Sequence, residues 1–180
     1  MTLLSSSKNK IKEFKHLVEL LLFNLKVALG KDLPEIEGSM DEVILYKSLD
    51  AGKGYLVEDT ILIIDGQEVV DIRWNQEDKL KENQKAQWAV SIGYNDGVSI
   101  KVFRGIIEGI IVNPIGVGYG FDPYFLPNNS ELSLAQLDER GLKDDFSSRK
   151  LALEKVKGNN YLFERKISSI PKWEGEYQNS

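Results

Sequence analysis

Glu58 and Asp59 are adjacent carboxylates inside an otherwise apolar run, residues 54–66, Gly-Tyr-Leu-Val-Glu-Asp-Thr-Ile-Leu-Ile-Ile-Asp-Gly. A run so rich in Val, Ile and Leu and bounded by glycines predicts a strand buried on both faces. Ionised groups left unpaired in such a place cost roughly several kcal/mol. The pair therefore needs a cationic partner or an opening to solvent, which a strand broken at the pair would supply. Two readings follow. One is a surface turn between two short strands; the other is a cleft where a carboxylate holds a hard metal ion or takes a proton from water.

Composition narrows the chemistry to oxygen and nitrogen groups. The chain has no cysteine, which removes disulfides, thiolate metal sites and a Cys nucleophile. A single histidine, His16, argues against a His-based zinc site and a Ser-His-Asp triad, and its charged neighbours place it at the surface. Catalysis is left to carboxylates, lysines, hydroxyls and an oxygen-bound metal. With 180 residues, 42% of them hydrophobic, 28% charged and a formal charge of -5, the composition suits one or two lobes of a soluble globular protein. No stretch is apolar for long enough to span a bilayer, so a membrane partner is not expected and the cytoplasm is the default location. Mild acidity argues against nucleic acid as a partner while permitting a small anionic ligand held by local lysines.

The elements that must position these groups follow from pattern. Residues 2–4 read as a short strand, Ser5-Ser6-Ser7 as a hydroxyl-rich turn, and the stretch from Ile11 to a stop at Gly30 as an amphipathic helix. A turn of this kind, with Lys8 and Lys10 beside it, suits either an anion such as phosphate or an ordinary helix cap. Residues 32–38 are turn-rich and acidic, with Glu35 stiffened by Pro34, and residues 40–52 form a second helix carrying Lys47. Residues 68–74 read as a strand or loop edge and 75–87 as a polar helix or loop. Residues 88–94 and 98–104, joined by Asn95-Asp96-Gly97, predict a hairpin that residues 104–112 extend. The glycine-rich loop that follows interleaves Tyr119 and Phe121 before Asp122-Pro123, which lets an aromatic face lie against a planar ligand. Helices at 132–137 and 147–156, a strand at 161–167 and a loose tail complete the chain. Trp173 in that tail is expected to pack on the core.

Five of these segments, in order, resemble the inosine triphosphate pyrophosphatase family, the enzymes that clear non-canonical purine nucleoside triphosphates. They are Ser5-Ser6-Ser7-Lys8-Asn9-Lys10-Ile11-Lys12-Glu13; Asp32-Leu33-Pro34-Glu35-Ile36-Glu37-Gly38 followed by Lys47; Val57-Glu58-Asp59-Thr60; Tyr119-Gly120-Phe121-Asp122-Pro123; and Lys143 to Ser147-Ser148-Arg149 with Ala152-Leu153. The resemblance covers about Leu3 to Lys155. It implies an α/β fold, a long twisted mixed sheet flanked by helices as two lobes around a nucleotide cleft. The whole chain would be one such domain, with residues 159–180 as a C-terminal extension. It also implies a homodimer that splits ITP, dITP or XTP to the monophosphate and pyrophosphate with Mg²⁺.

Carried over residue by residue, Lys10 and the turn of Ser5 and Ser7 would bind the triphosphate, supported by Lys47. Glu35 and Asp59 would hold Mg²⁺, Asp59 also serving as base for the attacking water. Tyr119 would stack on the purine beside Phe121, while Asp122, Lys143, Ser148 and Arg149 would meet the base or its surroundings. The chain departs from the family pattern at three places. Ser7 stands for an asparagine, Ser148 for the histidine that reads the 6-keto edge, and the usual Gly-x-Pro-Gly stretch between Asp65 and Trp74 is absent. The first two leave the preferred base open. Two alternatives stand beside the main reading: the same class of enzyme redirected to another nucleotide, and a nucleotide-binding regulatory protein with little catalysis.

Overall fold

An open mixed sheet carries the molecule. In the computed structural model, which describes residues 1–69 and 80–178, eight strands are β1 (Thr2–Ser5), β2 (Lys26–Leu29), β3 (Tyr55–Ile64), β4 (Gln67–Val69), β5 (Lys85–Asn95), β6 (Ser99–Ile111), β7 (Phe125–Pro127) and β8 (Phe163–Lys166). Their order is β2-β1-β3-β5-β6-β7, with β4 on β3 and β8 on β6. β1 runs parallel to both β2 and β3, and the β6–β7 and β6–β8 pairs are antiparallel. Among the described residues four helices flank the sheet: α1 (Lys8–Leu20), α2 (Met40–Ala51), α3 (Leu134–Glu139) and α4 (Ser148–Lys157). The chain forms two compact units. The first holds Met1–Asp59, Val90–Gly105 and Arg149–Ser180; the second holds Thr60–Ala89 and Ile106–Ser148.

In the first unit, α1 starts where the Ser7 hydroxyl accepts the Lys10 amide, and it buries Phe14, Leu17 and Val18 at helical spacing. It does not reach Gly30. The chain turns at Leu22, whose φ is 49°, and then alternates buried Leu25 and Val27 with exposed Lys26. The same apolar residues fit both periods, and pairing with β1 selects the strand. α2 opens with a capping box between Ser39 and Glu42 and sends Ile44 into a core cluster with Val57, Ile100 and Val102. It approaches β5 so closely that a Cβ at Gly93 would lie 2.0 Å from the Ser48 hydroxyl. That contact sets the height of α2, and therefore of Lys47, over the sheet. The predicted hairpin is present, with Gly97 at φ 92° in the turn and Asp96 accepting the Val98 and Ser99 amides.

β3 is one continuous strand through Glu58 and Asp59, so neither a break at the pair nor a surface turn occurs. Residues 85–87, read as helix or loop, are the start of β5. The readings for residues 70–79 lie outside the described residues. The predicted strand at 161–167 shortens to Phe163–Lys166. The tail is not loose: Tyr177 bridges Ile36, and the Trp173 ring meets Tyr46 edge-on at 5.2 Å. In the second unit, α3 is capped by Ser133, whose hydroxyl also donates to the Ile115 carbonyl at 2.7 Å, tying the glycine-rich loop to the helix. Among the described residues no helix is long and apolar enough to cross a membrane.

Candidate active site

Successive residues leave a strand on opposite sides, and the two acids of β3 accordingly meet different cations. Glu58 is 3% exposed and takes the Lys10 ammonium at 2.5 Å. Asp59 is 18% exposed and lies 3.8 Å from the ammonium of Lys47, which also donates to Glu35 at 2.9 Å. Both cations come from helices anchored as described above, Lys10 in the first turn of α1 and Lys47 on α2. Arg149, at the start of α4, donates to Glu13 at 2.8 Å. The sequence reading expects Arg149 at the base or its surroundings; its guanidinium bonds Glu13 and lends charge to Glu58.

The electrostatics separate the two carboxylates. Burial pushes Glu58 up, but Lys10, Arg149 and Lys47 together outweigh it and hold the group at about 2. Burial also lifts Asp59, and there Lys47 opposes it while Glu35 and Glu58 add repulsion, leaving the carboxyl at about 6. Lys47 is disfavoured as a cation by its own burial, yet the charges of Asp59, Glu35 and Glu58 raise it above its ordinary value. One acid is thus locked as a permanent anion, and its neighbour is able to exchange a proton near neutrality.

The hydroxyls at the start of α1 serve the loop. Ser5 accepts the Ser7 amide at 3.2 Å, Ser7 caps α1, and Ser6 donates to Asp32 at 3.2 Å. Glu35 and Asp59 converge on one ammonium, so a positive charge already has a place between them. Among the described residues no group of three or more His, Cys, Asp or Glu side chains surrounds a metal position. Two carboxylates with no nitrogen or sulfur donor fit a hard cation that draws its remaining ligands from phosphate and water, as Mg²⁺ does.

The second unit brings another set together. The Asp122 carboxylate accepts from Lys143 at 2.6 Å, and the same ammonium lies 5.7 Å from the centre of the Trp88 ring. Phe121 is buried, its ring edge-on to Trp88 at 6.1 Å and tilted against Phe125 at 6.0 Å. Tyr119 is 55% exposed. Ser148 is wholly buried and donates to the Trp88 carbonyl at 2.5 Å, so its hydroxyl faces the interior rather than presenting itself to a ligand. Two interacting residues were not singled out in the sequence, Glu13, the partner of Arg149, and Trp88, which lies beside Lys143 and Phe121; Glu58 was singled out, but without its partner Lys10. Glu58 carried a signal, since a buried acid beside Asp59 required a cation. Trp88 carried none beyond being a large aromatic in a strand.

A family model described as the Ham1 family matches residues 1–159. An inosine triphosphate pyrophosphatase of Candida albicans (strain WO-1) is 31% identical over 172 residues, spanning 84% of this chain and 80% of its own. A dITP/XTP pyrophosphatase of Korarchaeum cryptofilum is 30% identical over 176 residues, spanning 87% of this chain and 94% of its own. The structure of a HAM1 protein from Coxiella burnetii superposes with a TM-score of 0.64 at 22% identity, covering 88% of this chain and 96% of that one.

Proposed function

The chain belongs to the Ham1 family, and we propose that it hydrolyses non-canonical purine nucleoside triphosphates such as ITP, dITP and XTP to the monophosphate and pyrophosphate. The observation that carries this reading is the pairing of Glu35 and Asp59 across one ammonium, with Asp59 lifted to about 6.

In the first unit, Lys10 and the Ser5–Ser7 turn would take the phosphates and Lys47 would add positive charge beside them. Glu35 and Asp59 would hold Mg²⁺, which when bound neutralises phosphate charge and lowers the cost of the leaving group. Asp59, ionised above about pH 6, accepts a proton from water. The water oxygen bonds to the first phosphorus as the bond from that phosphorus to the bridging oxygen breaks. The bridging oxygen leaves with pyrophosphate, and the proton stays on Asp59 until solvent removes it. Glu58, held ionised, keeps the Lys10 ammonium in place for the phosphates. In the second unit, exposed Tyr119 would stack on a purine and the Asp122–Lys143 pair would meet its edge, with Ser148 and Phe121 holding Trp88 and the loop behind them. A nucleotide-pool substrate implies action in the cytoplasm, and the family resemblance carries the expectation of a homodimer, which sedimentation at micromolar protein would test.

One observation favours a second reading of the base. Where the family pattern has histidine, Ser148 points inward, so selection against a 6-amino group rests on fewer donors. A panel of nucleoside triphosphates, scored for pyrophosphate against orthophosphate, decides both questions. Release of pyrophosphate from ITP and XTP well ahead of ATP and GTP is expected. Preference for a canonical triphosphate would establish a redirected substrate, and orthophosphate as the product would overturn the mechanism.

A further inference from the structure

Residues 160–178 lie outside the span matched by the family model, yet within the first unit the last three of them close back onto the loop that carries Glu35. Tyr177 bridges antiparallel to Ile36. The Glu37 amide donates to the Glu176 carbonyl at 2.8 Å, and the Gln178 amide donates to the Glu35 carbonyl at 2.9 Å. The Gln178 side-chain amide adds a bond to the Ile36 carbonyl at 3.0 Å. Three consecutive residues around one proposed metal ligand are therefore tied to the tail through their backbones.

The same segment grips the other partner of that site. Trp173 packs edge-on against Tyr46, the residue before Lys47 on α2, and the Tyr46 hydroxyl donates to the Pro171 carbonyl at 2.7 Å. The tail is preorganised for this. Trp173 donates its indole N–H to the Glu176 carbonyl at 3.0 Å, and Gly175 lies so close under the ring that a Cβ there would be 2.5 Å from it.

The loop around Glu35 lacks a strand or helix of its own, apart from the Ile36–Tyr177 bridge. A carboxylate that must hold a cation needs its backbone fixed to within about 0.5 Å, and a loop leaning on solvent does not supply that. We infer that residues 170–178 are a positioning strap that fixes the Glu35 carboxylate beside Lys47 and thereby sets the affinity of that place for a divalent cation. Trp173 and Gln178 are positioning residues; they act through Glu35 and Tyr46. The inference rests on the assignment of Glu35 made above.

Trp173→Ala removes the ring that seats the strap, and Gln178→Pro removes the backbone N–H and the side-chain amide that bind residues 35 and 36. Both leave β8 and the core contacts of Phe163, Ile167 and Ile170 in place. Amide exchange at Glu37, binding of Mn²⁺ to the nucleotide-free enzyme by electron paramagnetic resonance, the Mg²⁺ concentration for half-maximal rate, kcat at saturating Mg²⁺ and the thermal midpoint are then compared with the unaltered chain. The expected result is faster exchange at Glu37, with Mn²⁺ affinity and the half-maximal Mg²⁺ concentration each worsened about tenfold, the scale on which supporting contacts tune a metal site. Saturating Mg²⁺ restores kcat, and the midpoint barely moves. Unchanged exchange in both variants, or faster exchange with unaltered metal dependence, overturns the inference. So does a rate that falls at every metal concentration in step with lost folded protein. Glu35→Gln separates the role of the carboxylate from that of the strap. If it too leaves metal dependence untouched, the assignment of Glu35 has failed and the strap falls with it; if it alone shifts, only the strap is refuted.

Discussion

Replacing Asp59 by asparagine is expected to stabilise the protein while abolishing its chemistry. An aspartate that titrates at 3.8 when free and at about 6 when folded burdens the native state, once ionised, with about 3 kcal/mol. Asparagine has nearly the same shape and carries no charge to desolvate. It also withdraws one of the charges that favour Lys47, so the net gain is smaller, about 1–2 kcal/mol, or roughly 2–8 °C in Tm for a chain of this length. The sign fixes the pH window. Because the folded state holds the proton more tightly than the unfolded chain, wild-type stability from this group is full below about pH 4, falls as pH rises toward about 6, and stays low above it. The advantage of Asp59→Asn is therefore absent in acid, grows through that interval and is complete at neutrality. Urea unfolding of both proteins at about pH 4 and pH 7.5 measures the difference directly. Pyrophosphate release from ITP, followed in parallel, should fall about 10³-fold. A variant less stable than wild type at pH 7.5 would show that attraction to Lys47 outweighs burial, and the account of why Asp59 is poised near neutrality would be wrong.

Glu58→Gln should do the reverse, lowering stability by about 3 kcal/mol at neutral pH, since this carboxyl is held at about 2 against an ordinary 4.5. The wild-type contribution is present above about pH 4.5 and lost as pH falls toward 2, which an acid titration of the unfolding midpoint will reveal as a slope missing from the variant. Tyr119→Ala should raise KM for ITP about tenfold with kcat and Tm unchanged, because the ring is exposed and its expected contribution is stacking. Ser148→Ala should cost about 1 kcal/mol of stability and leave the ratio of ITP to ATP turnover unaltered. A changed ratio would mean that the hydroxyl reaches the base after all.

What the sequence made legible was local. The hairpin turn could be found because Asn95-Asp96-Gly97 permits the positive φ that only the turn requires. The β3 strand was visible in its apolar run, and the pair within it announced a missing cation. Which cation was not visible. Lys10 and Glu58 are 48 residues apart, and nothing local distinguishes these lysines among the 23 lysines and arginines of the chain. The end of α1 was misread because residues 20–27 satisfy helical and strand periods alike, so only the neighbouring strand decides between them. The tail was misread for the opposite reason. Its residues are polar and aperiodic, and its order comes from backbone pairing with residues 35–37, which no side-chain pattern encodes.

The contact between Ser48 and Gly93 has a bearing on how tolerance to mutation would be interpreted. A Cβ at position 93 meets the Ser48 hydroxyl at 2.0 Å and the Ile44 carbonyl at 3.3 Å, so alanine must turn that hydroxyl out of its bond to Ile44 or push back the helix bearing the ammonium group, and larger side chains must do both. Activity falls as the ammonium group is displaced. A saturation screen scored only by turnover would rank this glycine beside the acids of the strand, although it can neither donate nor accept a proton. Separating the two kinds of intolerance takes a second scale, abundance of folded protein, on which position 93 falls and position 59 rises.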